Sequence, residues 1–155
     1  MIQRVQSIWL LLTSLTLVCL LFLPLITKNE SGGELTMYTC GLYQTTQLAP
    51  AQSVKVAAYL PLLVFHIFLA VLAFGNIFMF KNRVLQKRIA VITVILLTVL
   101  NFWVFKSAQG MPGGLENTTA GAGAFMPIVA IIWCFLAVRG IRNDERLIRS
   151  ADRLR

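Results

Sequence analysis

Four apolar stretches separated by polar ones set the pattern of this chain. Ile8–Ile26 is apolar apart from Thr13, Ser14 and Thr16, and Val56–Phe80, Ile89–Phe105 and a run from about Ala122 to Val138 follow. A helix rises about 1.5 Å per residue, so about 20 such residues cross a hydrocarbon core of about 30 Å. The pattern predicts an all-α membrane protein, a bundle of four transmembrane helices over about 8–26, 56–80, 89–105 and 122–138. The first run exceeds the apolar core of a signal peptide and no small-x-small cleavage site follows Pro24, so it reads as a retained span. Pro24 lies near its end, and Pro61 and Pro127 fall early in the second and fourth, where a proline costs little.

The polar intervals carry their own signals. In Thr27–Lys55, a glycine pair precedes Glu34–Thr46 (ELTMYTCGLYQTT), whose alternation and Thr/Tyr content predict a short β-hairpin turning near Cys40–Gly41. Lys81–Arg88 reads as a short basic loop, and Lys106–Gly123 as a polar loop turning at Pro112–Gly113–Gly114. Past Val138 the chain becomes polar again. Written as a helix, Arg142, Arg146, Arg149 and Arg153 share one face. Ile141, Leu147, Ile148, Ala151 and Leu154 form the opposite arc, interrupted by Asp144 and Arg155. Glu145–Arg149 and Asp152–Arg155 are spaced as ion pairs. The expected organisation is a membrane domain over 1–138 and a basic helical tail over 139–155.

Composition and charge sharpen this picture. Hydrophobic residues make up 57% of the 155 and charged residues 13%, more apolar surface than a soluble core of this size can bury. With both termini cytoplasmic, eleven of the fourteen Lys and Arg fall inside, leaving Lys28, Lys55 and Lys106 outside, as the positive-inside rule requires. Glu30, Glu34 and Glu116 balance those three, so the net +8 is all inside. Cys19 and Cys134 lie in spans and Cys40 in an outer loop, so no internal disulfide is expected. No basic patch is interleaved with aromatics, so sequence-specific nucleic-acid binding is not expected.

Candidate chemistry is sparse. His66 is the only histidine and the only ionisable group well inside a span. It has no acidic partner in any span, so a neutral ring bonded to a hydroxyl, amide or carbonyl is the plainer reading. Asn76 and Asn101 are each expected to join helices or to lie near the interface. No catalytic, metal or cofactor constellation is visible. Tyr38 and Tyr43 suit packing of the outer loop onto the bundle, or a ligand cage. Lys81, Arg83, Lys87 and Arg88 suit topology and anionic headgroups. In the tail, Arg139, Arg142, Arg146, Arg149, Arg153 and Arg155 are all arginine, whose forks suit carboxylates and phosphates; the apolar arc would lie on lipid or against a partner.

Two terminal motifs carry a resemblance. Met1–Ile8 (MIQRVQSI) and Arg139–Arg155 (RGIRNDERLIRSADRLR) resemble the domain-of-unknown-function 4293 family, and the likeness extends more loosely between them. It implies a small four-span protein of the inner membrane of Bacteroidota, with periplasmic outer loops, and no established activity. A looser likeness to claudin-like tetraspan proteins rests on Gly41–Leu42–Tyr43, where Tyr43 replaces a Trp and a second outer Cys is missing; it is one of architecture. The expected function is a non-enzymatic accessory subunit of a larger inner-membrane complex. Its Arg-rich helix would dock the membrane surface or a cytoplasmic partner, an acidic protein or ribonucleoprotein. Membrane lipids and other membrane-protein subunits are the further expected partners, and a protein-translocation or ribosome-associated machine is one candidate host. A small channel or transporter using His66, Asn76 and Asn101 is the alternative.

Overall fold

Proline and β-branched residues cut the apolar runs shorter than hydropathy alone would, and the pieces cut off become strands. In this computed structural model, residues 3–30, 33–45, 53–112 and 114–152 are described, with side chains for all of these but 3, 4, 30, 81, 145 and 147–152. Helix α1 spans Gln3–Leu20. Pro24 can donate no amide and disfavours helix at the residue before it, so the chain leaves α1 through tight bonds from Leu21 N to Val18 O and Phe22 N to Cys19 O, both 3.1 Å. Leu25 N then donates to Met37 O (2.8 Å) and begins a sheet.

That sheet has five antiparallel strands: β1 (Ile26–Glu30), β2 (Gly33–Tyr38), β3 (Gly41–Thr45), β4 (Ser53–Ala58) and β5 (Thr118–Ala120), in the order β4-β3-β2-β1-β5. The predicted hairpin is its centre, β2 and β3 turning through Thr39–Cys40. The all-α four-helix bundle with only a short hairpin is therefore overturned: the fold is mixed, with four helices against a five-stranded sheet. Val56–Ala58, expected to open the second span, is strand, and α2 begins at Leu60 with a proline in its first turn, where a missing amide donor costs nothing. Gly41 is required at the β3–β4 contact, since a Cβ there would lie 2.4 Å from Ala57 O.

The remaining helices are α2 (Leu60–Ile77), continued by a 3-10 turn over Phe78–Lys81, α3 (Arg83–Gln109) and α4 (Ala122–Asp152). Among the described residues, three segments are long and apolar enough to cross a membrane: Leu60–Phe80, Arg83–Gln109 and Ala122–Asp144. The described apolar part of α1, Val5–Leu20, is shorter, so three of the four expected spans reach that length, and α1 runs alongside them with Gln3 at the same end as Asp152. The basic segment expected as a loop is α3's first turns from Arg83 onward. These helices are apolar all round. Leu62, His66, Leu69, Ala73 and Asn76 of α2 face inward, while Val64, Phe68, Val71 and Phe74 are about half exposed or more. Exposed apolar area on that scale is what lipid covers, and the chain is a membrane protein.

Neighbouring helices run antiparallel, α1 packing on α2 and α4, and α3 on the other side of both. One end of this layer carries the sheet. Alternation gives the sheet two faces: Leu35, Met37 and Leu42 are buried in one cluster with Leu20 of α1, Leu62 of α2, Ala108 of α3 and Ala130 of α4, while Thr36, Tyr38, Tyr43 and Thr45 point the other way. Lys28 is also buried on the inner side, where its Nζ donates to Pro112 O (2.8 Å) and Gly114 O (3.4 Å). At the head of α4, Gly121 N donates to Leu25 O and Gly123 N to Pro24 O, both 2.9 Å. A Cβ at Gly121 would come within 2.3 Å of Pro24 O, so the small residues are what let α4 dock on the α1 exit.

Candidate functional site

The end of the layer opposite the sheet gathers most of the residues singled out from the sequence. Helix α4 passes Val138 without a break and continues to Asp152. Its 31 residues amount to about 46 Å at about 1.5 Å per residue, well beyond a hydrocarbon core of about 30 Å. Its extension is held by α1. Gln6 Nε2 donates to Asp144 Oδ2, and both side chains are buried. Gly140 makes room for this contact: a Cβ there would lie 3.1 Å from Gln6 Cγ. Ile141, assigned from sequence to an outward apolar arc, is fully buried, and Asp144, read as an interruption of that arc, is the anchor. Further into the layer the Trp9 and Trp133 rings stack at 5.2 Å and 16°, so the same two helices are fixed at two heights.

The anchor leaves the arginines outside. Arg139, Arg142 and Arg146 are exposed, at i, i+3 and i+7 on one side of the helix. The side chain of Arg149, and Arg153 and Arg155 altogether, lie outside the described residues, as do the expected Glu145–Arg149 and Asp152–Arg155 pairs. Of the second basic group, Arg83 and Lys87 are half-buried and Arg88 is exposed on α3; the side chain of Lys81 is not described. A second buried pair braces this end: Asn76 Nδ2 donates to Gln86 O (3.2 Å) and Gln86 Nε2 to Asn76 O (3.3 Å), tying α2 to α3 across the 3-10 turn. Cys134 Sγ donates to Ala90 O (3.3 Å) and links α4 to α3.

The intramembrane polar residues do not converge. His66 Nε2 lies 2.9 Å from Leu17 O and donates to it, so the ring ties α2 to α1, while its buried Nδ1 has no partner. Asn76 serves the α2–α3 turn. Asn101, expected to join helices or to lie near the interface, donates to Leu97 O (3.1 Å) of its own helix. Among the described residues no group of three His, Cys, Asp or Glu could hold a metal.

Tyr38 and Tyr43, read from sequence as packing residues or a ligand cage, line a cavity of about 370 Å³ at the opposite end, between the outer face of the sheet and the exit of α1. Its polar wall is Thr36, Tyr38, Tyr43, Thr45 and Ser53, and Leu21 and Phe22 close the other side. Tyr38 meets Tyr43 edge-on at 5.7 Å, and Lys55 Nζ lies 5.8 Å from the Tyr43 ring centroid. Cys40 Sγ is 3.5 Å from the Tyr43 hydroxyl. That hydrogen bond, together with the negative charge of Cys40 when ionised, holds the Tyr43 hydroxyl above the usual tyrosine range. The signal was the Thr/Tyr alternation of Glu34–Thr46, which fixed the strand face but not what lies across from it.

Comparison with known proteins adds the family. The family model described as Domain of unknown function (DUF4293) matches residues 2–154, and no curated protein matches the chain. The chain belongs to the DUF4293 family.

Proposed function

We propose that this DUF4293 member is a non-enzymatic accessory subunit of a larger bacterial inner-membrane assembly, with both termini in the cytoplasm, and that the arginine face of α4 docks an anionic partner there. The observation that carries this reading is the buried Gln6–Asp144 contact, which anchors α4 just past its apolar segment while Arg139, Arg142 and Arg146 remain exposed. An anchored helix holds its charged groups in a fixed array, so less ordering entropy is lost when a partner binds. Guanidinium forks on such an array suit carboxylates or phosphates.

A helix lying flat on lipid receives less support. Up to Asp144 the extension stays packed on α1, following the layer rather than turning away at Arg139. About 20 residues from Ala122 exhaust a core of about 30 Å, which puts Arg139 just inside its edge, within snorkelling reach of the headgroups, Arg142 at headgroup level and Arg146 beyond it. The basic bias of this end supports the cytoplasmic side, and the family resemblance supports the inner-membrane setting.

The test is affinity purification in gentle detergent with quantitative mass spectrometry, with and without ribonuclease. A stoichiometric partner should accompany the wild type and be lost when Arg142 and Arg146 are both changed to Gln. Loss on ribonuclease treatment assigns the phosphates to RNA; retention assigns an acidic protein. A wild-type preparation with no partner contradicts the reading.

A further inference from the structure

The cavity beside the sheet and a groove between α1 and α2 follow one another along the chain, with Val18 lining the groove and Leu21 and Phe22 the cavity. The groove, about 470 Å³, lies between Leu11, Leu15 and Val18 of α1 and Ala70, Val71 and Phe74 of α2. Ser14 also lines it, but its hydroxyl is spent on Leu11 O (2.9 Å), so the surface offered is apolar. Leu11, Leu15 and Val18 are spaced i, i+4 and i+7 on one side of α1, Phe22 follows in the turn after the helix ends, and all four are exposed. The first three belong to the groove and Phe22 to the cavity, so the apolar track leads along the chain from one to the other.

The dimensions fit half a bilayer. Leu11 to Leu20, where α1 ends, covers about 14 Å at about 1.5 Å per residue, close to the depth of one leaflet of a core about 30 Å thick. Where the track ends, the lining changes to the hydroxyls of Thr36, Tyr38, Tyr43, Thr45 and Ser53. The Tyr43 hydroxyl, like that of any tyrosine, keeps its proton at ordinary pH and can donate a hydrogen bond to an anion. Lys55, paired in register with Tyr43 on the same sheet face, brings a positive charge to that wall. Glu34, opposite Thr45, is the acidic group of that face, which places an anion nearer Lys55 than Thr45.

We infer that the groove and the cavity form one site for a single phosphate-bearing membrane lipid of the leaflet on the sheet side. An acyl chain would lie along Leu11, Leu15 and Val18 against α2, and the phosphate among the hydroxyls beside Lys55. No bond is made or broken. Neither half suffices alone: the groove supplies apolar area without selectivity, and the cavity is open and holds few charges. The site stands at the opposite end of the molecule from the arginine face and is independent of the docking reading.

The experiment is native mass spectrometry of the delipidated full chain titrated with dioleoylphosphatidylglycerol, dioleoylglycerol or glycerol 3-phosphate in detergent. One phosphatidylglycerol should remain bound per chain. The phosphate-free diacylglycerol and the chain-free phosphate should each bind at least about tenfold more weakly, the loss expected when one interaction with a charged group is removed. Lys55→Gln, on an exposed strand position, and Ala70→Phe, which fills the groove, should each weaken phosphatidylglycerol retention by about the same factor. Equal binding of diacylglycerol would remove the phosphate from the account, and equal binding of glycerol 3-phosphate would remove the groove. Retention unchanged by Lys55→Gln, or no retained lipid on the wild type, overturns the proposal.

Discussion

The two ends of the helical layer are fixed by different means. At the sheet end, backbone bonds do the work: β1 to β5 form a continuous antiparallel ladder, and α4 is pinned to the α1 exit through Gly121 and Gly123 amides. At the basic end, side chains do it: Gln6 with Asp144 between α1 and α4, and Asn76 with Gln86 between α2 and α3. Backbone pinning needs only that side chains stay out of the way. Side-chain pinning depends on particular residues, and it leaves the outer surface of α4 free to carry arginine. The first end is built as a cap with a cavity, the second as a mount for an extended helix.

The difference predicts how each end breaks. The largest effect is expected at the sheet end, from Gly121→Val. Its Cβ would meet the Pro24 backbone, which cannot move without disturbing both α1 and β1. Overpacking against backbone costs on the order of 3 kcal/mol, and thermal unfolding in detergent should show a correspondingly lowered midpoint. Unchanged stability would mean that α4 does not dock through this contact.

At the basic end, Asp144→Ala should cost about 2 kcal/mol, because it leaves the Gln6 amide buried without its acceptor. Asp144→Asn keeps an acceptor oxygen and should cost less. The sharper readout is limited trypsin digestion: cleavage at Arg142 and Arg146 should accelerate in Asp144→Ala and stay slow in the wild type. Equal rates in the two would show that the contact does not hold the extension. Smaller still, Gln86→Leu removes the donor to Asn76 O and is expected to cost about 1 kcal/mol, read as slightly earlier unfolding with the tail's protease pattern unaltered.

The smallest effect lies in the cavity wall. Tyr43 should titrate above the ordinary tyrosine value of about 10, and Cys40→Ala should move it back down, since the thiol's hydrogen bond is the leading cause of the shift. Ultraviolet difference titration reads this directly. No downward movement in Cys40→Ala would break the assigned Cys40–Tyr43 contact.

Much of the helical part was legible because hydropathy reports local composition. The central hairpin was legible from Thr/Tyr alternation in Glu34–Thr46. The other strands were not. Leu25–Ile26 closes an apolar run that continues a helix as plausibly as it starts a strand, and only Pro24 separates the two readings. Val54 and Val56 alternate with polar neighbours over too few residues to outweigh the apolar run that follows. Thr118–Ala120 is three residues long and is a strand only because β1 lies beside it. The candidate site shows the same limit. Exposure of Arg142 and Arg146 followed from helical phase, but burial of Asp144 depends on Gln6, 138 residues away, which no local pattern reports. Both partners nevertheless fall within the two terminal motifs that carry the family resemblance, so the ends that read alike in sequence are the ends that meet in space.

The central claim is that the exposed arginines of an anchored α4 are a docking surface. Removing the chain after Val138 would also remove Ile141 and Asp144, confounding lost docking with lost packing. The direct measurement is therefore partner retention on Arg142→Gln/Arg146→Gln, whose substitutions are both on the exposed face, beside a thermal unfolding control. The account predicts an unfolding midpoint like that of the wild type and loss of the stoichiometric partner. A partner retained in full by that variant would contradict it.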